Sequence, residues 1–317
     1  MTGWFAANIV LVQSTFITFL LALSLQFPMR MGVLSFAGVG CYGIGGYVCG
    51  IAMVRFQLPM WPALALAIVS SLLVGYLLGV LIQRLNGLYL AMATIAFVLI
   101  ITVIAGNGGE ITGGHTGLYG VIGQLNIVVI ILLAVIGTAI MAATEIGGLG
   151  RRIRAVQQDP QLAASMGIGV GNYRRMAFLI SGALGGCAGA MQVLVRTTIQ
   201  PEAIGFHMVV LVLTIIVIGG SGSWVGAFIG TVIFVWLPLL LSTVGEWRHV
   251  IYGLLVVVAA IYLPGGIHGG LSSLFTRMRR ARAQRRADTP GGSDVGAAGQ
   301  PDLAHAPTQI QARGGAR

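Results

Sequence analysis

From residue 8 to residue 263 the chain is a succession of membrane-length apolar runs, interrupted only by short polar stretches. About 20 predominantly apolar residues carry a helix across the hydrocarbon core of a bilayer. Inside that core every backbone N–H and C=O must find its partner within the protein, which leaves helices or closed barrels. Runs of this length and hydrophobicity are helical spans, so the chain is confined to an all-α polytopic bundle. Composition agrees: 56% of residues are hydrophobic and 8% charged, where a soluble domain carries about 25% charged residues.

Nine spans are expected, over residues 8–26, 33–54, 61–83, 88–106, 125–144, 176–195, 201–219, 224–243 and 249–263. The seventh is the short one. Its purely apolar core, 208–218, would suit a re-entrant segment. Beginning it at Pro201, with Glu202 at the favourable N-terminal end, gives a full span. Nine spans with an external N-terminus put 15 arginines in the cytoplasm and only Arg55, Arg196 and Arg248 outside, as the positive-inside rule requires. The N-terminus has no basic leader and no small-residue cleavage site, so no cleavable signal peptide is expected. Residues 1–274 form the transmembrane domain. The stretch 275–317, which starts with the basic run RMRRARAQRR, is expected to be a disordered cytoplasmic tail touching anionic lipid.

The net charge of +10 comes entirely from arginine. Without lysine the chain holds no P-loop and no Schiff base. The arginines flank apolar spans, so their placement speaks for topology and not for nucleic acid. Every carboxylate lies in a loop, at a span end or in the tail, which argues against a proton path through the membrane. Cys41, Cys49 and Cys187 stand singly within spans, and His115, His207 and His249 lack ligand spacing, so no metal site is expected. With no nucleophile–base pair either, the chain does not read as an enzyme.

Gly38, Gly40 and Gly43 match G-x-G-x-x-G, but a dinucleotide site needs a strand before it and a βαβ unit around it. Close helix packing is the better reading. The same holds for Gly75/Gly79, Gly182/Gly186, Gly185/Gly189 and Gly226/Gly230, all four residues apart. Similar glycine-rich segments around Gly43 and Gly230 make a candidate inverted repeat. Thr94, Thr102 and Gln192 are the polar residues within spans that could line a solute path. Hydrogen bonding to helix backbones is the better reading for each. The glycine-rich loop 106–118 is either a connector or part of an external entrance.

The longest polar interruption is 150–175, with five arginines. Asp159 suits a helix N-cap, Pro160 the first helical position and Gly167 the stop. The resulting helix of about seven residues is too short to persist alone in water. It needs something to hold it.

Six segments carry a family resemblance: LSFAGVGCYGIGGY, LNGLYLAMATIAF, ITGGHTGLYG, then 150–191, IVIGGSGSWVGAFIGTVI, and WRHVIYGLLVVVAAIYLPGGI. In this order and spacing the chain resembles the LivM-type permease subunits of ATP-driven branched-chain amino-acid importers. The resemblance implies a homologous second permease, two cytoplasmic ATPase subunits that bind the ATP and Mg, and an external solute-binding protein. The chain itself would carry no cofactor. It also implies that 150–175 is the cytoplasmic loop contacting the ATPase, with Ala155, Asp159, Ala163, Ala164 and Gly167 matching the family's pattern. Gln157 and Gln158 stand where a more charged pair is usual, and Leu162 precedes the alanine pair. Importers of urea and short-chain amides share this type, and a secondary transporter is the rival from another class.

Overall fold

A computed structural model describes residues 8–123, 125–220, 222–240 and 253. The described residues belong to one unit, Met1–Ser273. The expected ninth span and the tail 275–317 lie outside them.

Helix α1 (Ile9–Arg30), the first among the described residues, is one of two central ones. Every residue from Phe19 to Pro28 is buried, so this helix is enclosed by protein on all sides. It packs against α2 (Ala37–Val54), α6 (Ile127–Ala143), α9 (Val170–Arg196), α10 (Phe206–Gly219) and α11 (Trp224–Leu240). The other central helix is α9, set between α1, α2 and α3 (Met60–Ile82). At 27 residues it is about 40 Å long, more than the roughly 30 Å of a bilayer core. It starts six residues before the expected span because Arg174 and Arg175 join its first turns. Arg174 donates to the Gln83 carbonyl at 3.2 Å and Arg175 Nε to Gln83 Oε1 at 2.9 Å, which ties this end of α9 to the end of α3.

Glycine makes the central contacts dense. A Cβ on Gly182 would lie 2.6 Å from the Ser71 carbonyl oxygen, and one on Gly75 2.7 Å from that of Phe178. Backbones this close exclude any side chain. A Cβ on Gly38 would run into Ser24 and Leu25, on Gly40 into the Phe97 ring, on Gly43 into Ile204, and on Gly186 into Ser71. Gly226 and Gly230 hold α11 against α10 in the same way, at the Gly219 and Ile215 carbonyls. By contrast α3, α4 (Gly87–Asn107) and α6 expose Leu73, Leu77, Ile100, Val103, Leu132 and Val135 on their outer faces. Those faces are dressed for lipid.

Six described segments are long and apolar enough to cross a membrane, and seven if the bent pair formed by α6 and the following helix counts as one. α11, at 17 described residues, corresponds to the expected eighth span. The seventh span begins at Pro201 but is not one continuous helix. A 3-10 turn, Pro201–Ile204, breaks at the extended Gly205 before α10 begins. Gln26, buried within α1, donates to the Ser223 carbonyl at 2.9 Å and the Gly220 carbonyl at 3.5 Å. That fixes the α10–α11 turn beside the last turns of α1. α2 and α11 therefore start at the same end of the bundle, so the two glycine-rich segments run parallel and this pair does not form an inverted repeat.

At the opposite end the loop after α4 is built and not a plain connector. It holds a one-turn helix α5 (Gly109–Thr112), a 3-10 turn (Gly114–Thr116) and β1 (Leu118–Tyr119). β1 pairs antiparallel with β2 (Thr198–Ile199). Gly113, Gly114, Gly117 and Gly120 all take positive φ, where other residues are strained.

Candidate functional site

After α6 the chain turns through 75° into α7 (Gly147–Gln158). The sequence reading took this stretch as part of a polar loop. The signal for a helix was present: Leu149, Ile153 and Val156 recur at helical spacing. Ile153 and Val156 are buried, while Arg151, Arg152 and Arg154 are exposed, the pattern of a helix lying flat on an interface. Gly147, with φ of +72°, makes the turn.

α7 is clamped to the end of α1. Arg30 forms an ion pair with Glu145 at 2.5 Å and donates to the Gly222 carbonyl at 3.2 Å. Arg154 donates to the Glu145 carbonyl at 3.3 Å. Gly32, just past α1, lies so near Gln157 that a Cβ there would sit 3.3 Å from the Gln157 Cα.

α7 leads directly into α8 (Pro160–Ser165). The Asp159 carboxylate accepts from the Gln161 and Leu162 N–H groups at 2.9 and 3.0 Å. Two of the donors a helix start leaves open are thereby satisfied. At the other end Gly167 has φ of +81°. Its N–H donates to the Ala164 carbonyl, and the Ile168 N–H to the Ala163 carbonyl, both at 3.0 Å. This is a Schellman stop. Ala155 lies in the last turn of α7, where its carbonyl accepts the Asp159 N–H at 3.1 Å. Only Ala163 of α8 is buried; Ala164, Leu162 and Met166 are exposed. Fully capped and almost fully exposed, α8 is a helix of fixed shape with its apolar side chains turned outward.

Between α8 and the ends of the α1–α2 and α3–α4 connections lies a cleft of about 670 Å³. Leu34, Asn86, Asp159, Ala164 and Arg174 line it. α8 thus hangs between α7, clamped to α1, and α9, tied to α3.

The three polar candidates within the spans fall in different places. Thr94 is fully buried; its hydroxyl accepts from the Phe36 N–H at 3.1 Å and donates to the Ala91 carbonyl at 2.9 Å, joining α4 to the start of α2. Thr102 donates to the Val98 carbonyl within its own helix at 3.0 Å. Gln192 lines a cavity among α1, α2, α9, α10 and α11. Among the described residues no group of three or more His, Cys, Asp or Glu could hold a metal.

The profile of the family described as branched-chain amino acid transport system / permease component matches residues 7–260. The high-affinity branched-chain amino acid transport system permease protein LivM of Salmonella typhimurium is 27% identical over 295 residues, covering 82% of this chain and 69% of that protein. The Escherichia coli LivM is 27% identical over 288 residues, 80% of this chain and 68% of its own. A probable branched-chain amino acid transport permease protein LivH of Methanocaldococcus jannaschii is 26% identical over 260 residues, 73% of this chain and 81% of that one. No solved structure gives a significant match. With a profile match spanning most of its helical bundle, the chain belongs to the family of branched-chain amino acid transport permease components.

Proposed function

We propose that this chain is one of two homologous permease subunits of an ATP-driven importer that carries branched-chain or related small amino acids across the inner membrane. Two cytoplasmic ATPase subunits bind and hydrolyse ATP with Mg, and an external binding protein delivers the solute. The N-terminus faces outward and the C-terminus the cytoplasm. The observation that carries the reading is α8: capped at both ends, exposed on nearly every side chain, and suspended between the two central helices. Ala155, Asp159, Ala163, Ala164 and Gly167 shape this contact and do not themselves meet the solute.

A helix of six residues has no stability of its own, so its fixed shape comes from its caps and its supports. Closure of an ATPase dimer against Leu162 and Met166 would push on α7 and α9 together. α7 passes the push to α1 through Arg30 and Glu145. α9 is rigidly packed on α2 and α3. Rotation of these groups against each other switches the bundle between outward and inward openings.

Gln161→Cys, on the exposed face of α8, is expected to cross-link to the ATPase subunit in a co-expressed complex. Uptake of L-leucine by that complex in proteoliposomes should require ATP. Uptake driven by an ion gradient through this chain without ATPase subunits would overturn the proposal.

A further inference from the structure

We infer that the cavity holding Gln192 is a binding station for an α-amino acid inside the bundle, with Arg196 as the group that recognises its carboxylate. The inference rests on the importer reading above and specifies the chemistry of the path.

The cavity is about 240 Å³, below the range of about 300–1,000 Å³ usual for drug-sized ligands. It has room for a small solute. Its lining is mixed. Ile17, Leu21, Met208, Leu211 and Phe234 supply apolar surface. Ser14, Thr18, Tyr42, Gln192 and Arg196 bring polar groups to the same space. The Ser14 hydroxyl is buried, at 8% exposure, and has no hydrogen-bond partner among the described residues. A buried hydroxyl left open in this way costs free energy unless something polar visits it.

Arg196 ends α9 and is exposed. Among the described residues the only ion pair is Arg30 with Glu145, so no described carboxylate neutralises Arg196. Gln192 lies one helical turn before it on the same face. A guanidinium is a planar fork of donors that fits a carboxylate in two parallel hydrogen bonds. In the same lining, Ser14 Oγ and the Gln192 amide oxygen are acceptors for an ammonium. An aliphatic side chain would then face Ile17, Leu211 and Phe234. The lining thus holds a group to match each of the three parts of a branched-chain amino acid.

The experiment uses the complete complex in right-side-out vesicles. Ser14→Cys is treated with a membrane-impermeant thiol reagent, with the parent chain as blank for its three buried cysteines. Labelling is expected, and L-leucine should slow it. L-Leucinamide, which lacks the carboxylate, should protect at least about tenfold less well. Arg196→Gln should abolish that difference, and Arg196→Lys should keep part of it, because one charge remains without the fork.

A Ser14→Cys that never labels, equal protection by L-leucine and L-leucinamide, or unchanged discrimination in Arg196→Gln overturns the inference. So does protection by phosphatidylglycerol in place of L-leucine, which would make Arg196 a lipid anchor. ATP-driven L-leucine uptake with no protection at Ser14→Cys defeats the cavity alone. Absence of uptake of any amino acid defeats the importer reading and the inference with it.

Discussion

The glycine-packed centre and the α7–α8 elbow are built by opposite means. Where α9 meets α2 and α3, backbones touch and side chains are nearly absent: Gly182 against Ser71, Gly75 against Phe178, Gly189 against Tyr42. Nothing there can shift without clashing, because close-packed interiors are not continuously deformable. At the elbow, α7 and α8 are held by a few directed bonds. They are Arg30 to Glu145 and Gly222, Arg154 to the Glu145 carbonyl, and the Asp159 cap. The first region transmits force as a solid. The second can be gripped and moved, since exposed polar contacts re-form readily in water. A transport switch needs both.

The sharpest way to break the contrast is to put bulk into the solid. Gly182→Leu forces a side chain into the Ser71 backbone and is expected to cost on the order of 3 kcal/mol or more. Collapse of the monodisperse peak on size-exclusion chromatography would register it; a normal peak with an unchanged melting temperature would mean the packing is not rigid.

Gln26→Leu tests a polar tie within the centre. It removes the donor to Ser223 and Gly220, at a cost of about 1–3 kcal/mol for the carbonyls left open. Thermal melts of the purified chain should shift down, with the α10–α11 turn becoming more sensitive to protease.

Asp159→Ala moves to the elbow. Loss of the cap is expected to cost about 1 kcal/mol, confined to α8. Global melting should barely change while ATP-dependent uptake falls. An equal loss of both would remove the distinction between handle and core.

The smallest effect belongs to Glu145→Gln. The Arg30 side chain is 12% exposed but that of Glu145 is 41%, so the pair behaves largely as a screened surface bridge worth about 0.2–1 kcal/mol. Arg30 keeps its bond to Gly222. The difference from the parent should be visible at low ionic strength and vanish at high salt.

The positions of the described spans were legible because hydrophobic length is a local property. So were the ends of α8, since Asp159, Pro160 and Gly167 act on their own neighbours. α7 was legible but was passed over. Leu149, Ile153 and Val156 carried the period, yet Gly147, Gly148 and Gly150 and the arginines made the stretch look like a loop. The break at Gly205 was not legible, because Pro201 and Glu202 are equally good openings for a 3-10 turn or an α-helix. The two-residue pairing of β1 with β2 joins segments nearly 80 residues apart, and neither carries a strand pattern of its own.

By itself, then, the sequence determined that this chain is a helical membrane bundle, where its described spans lie and how α8 begins and ends. Tertiary structure alone decided which helices stand at the centre. Nothing local marks α1 as enclosed, since Leu20 in α1 and Leu77 in α3 are the same residue in similar runs, one fully buried and one exposed. In a bilayer both environments are apolar, so hydrophobicity cannot tell neighbour from lipid. The cavity holding Gln192 is of the same kind. Ser14, Tyr42, Gln192, Leu211 and Phe234 come from five helices, and only packing brings Arg196, in sequence a lone charge at a span end, into their company.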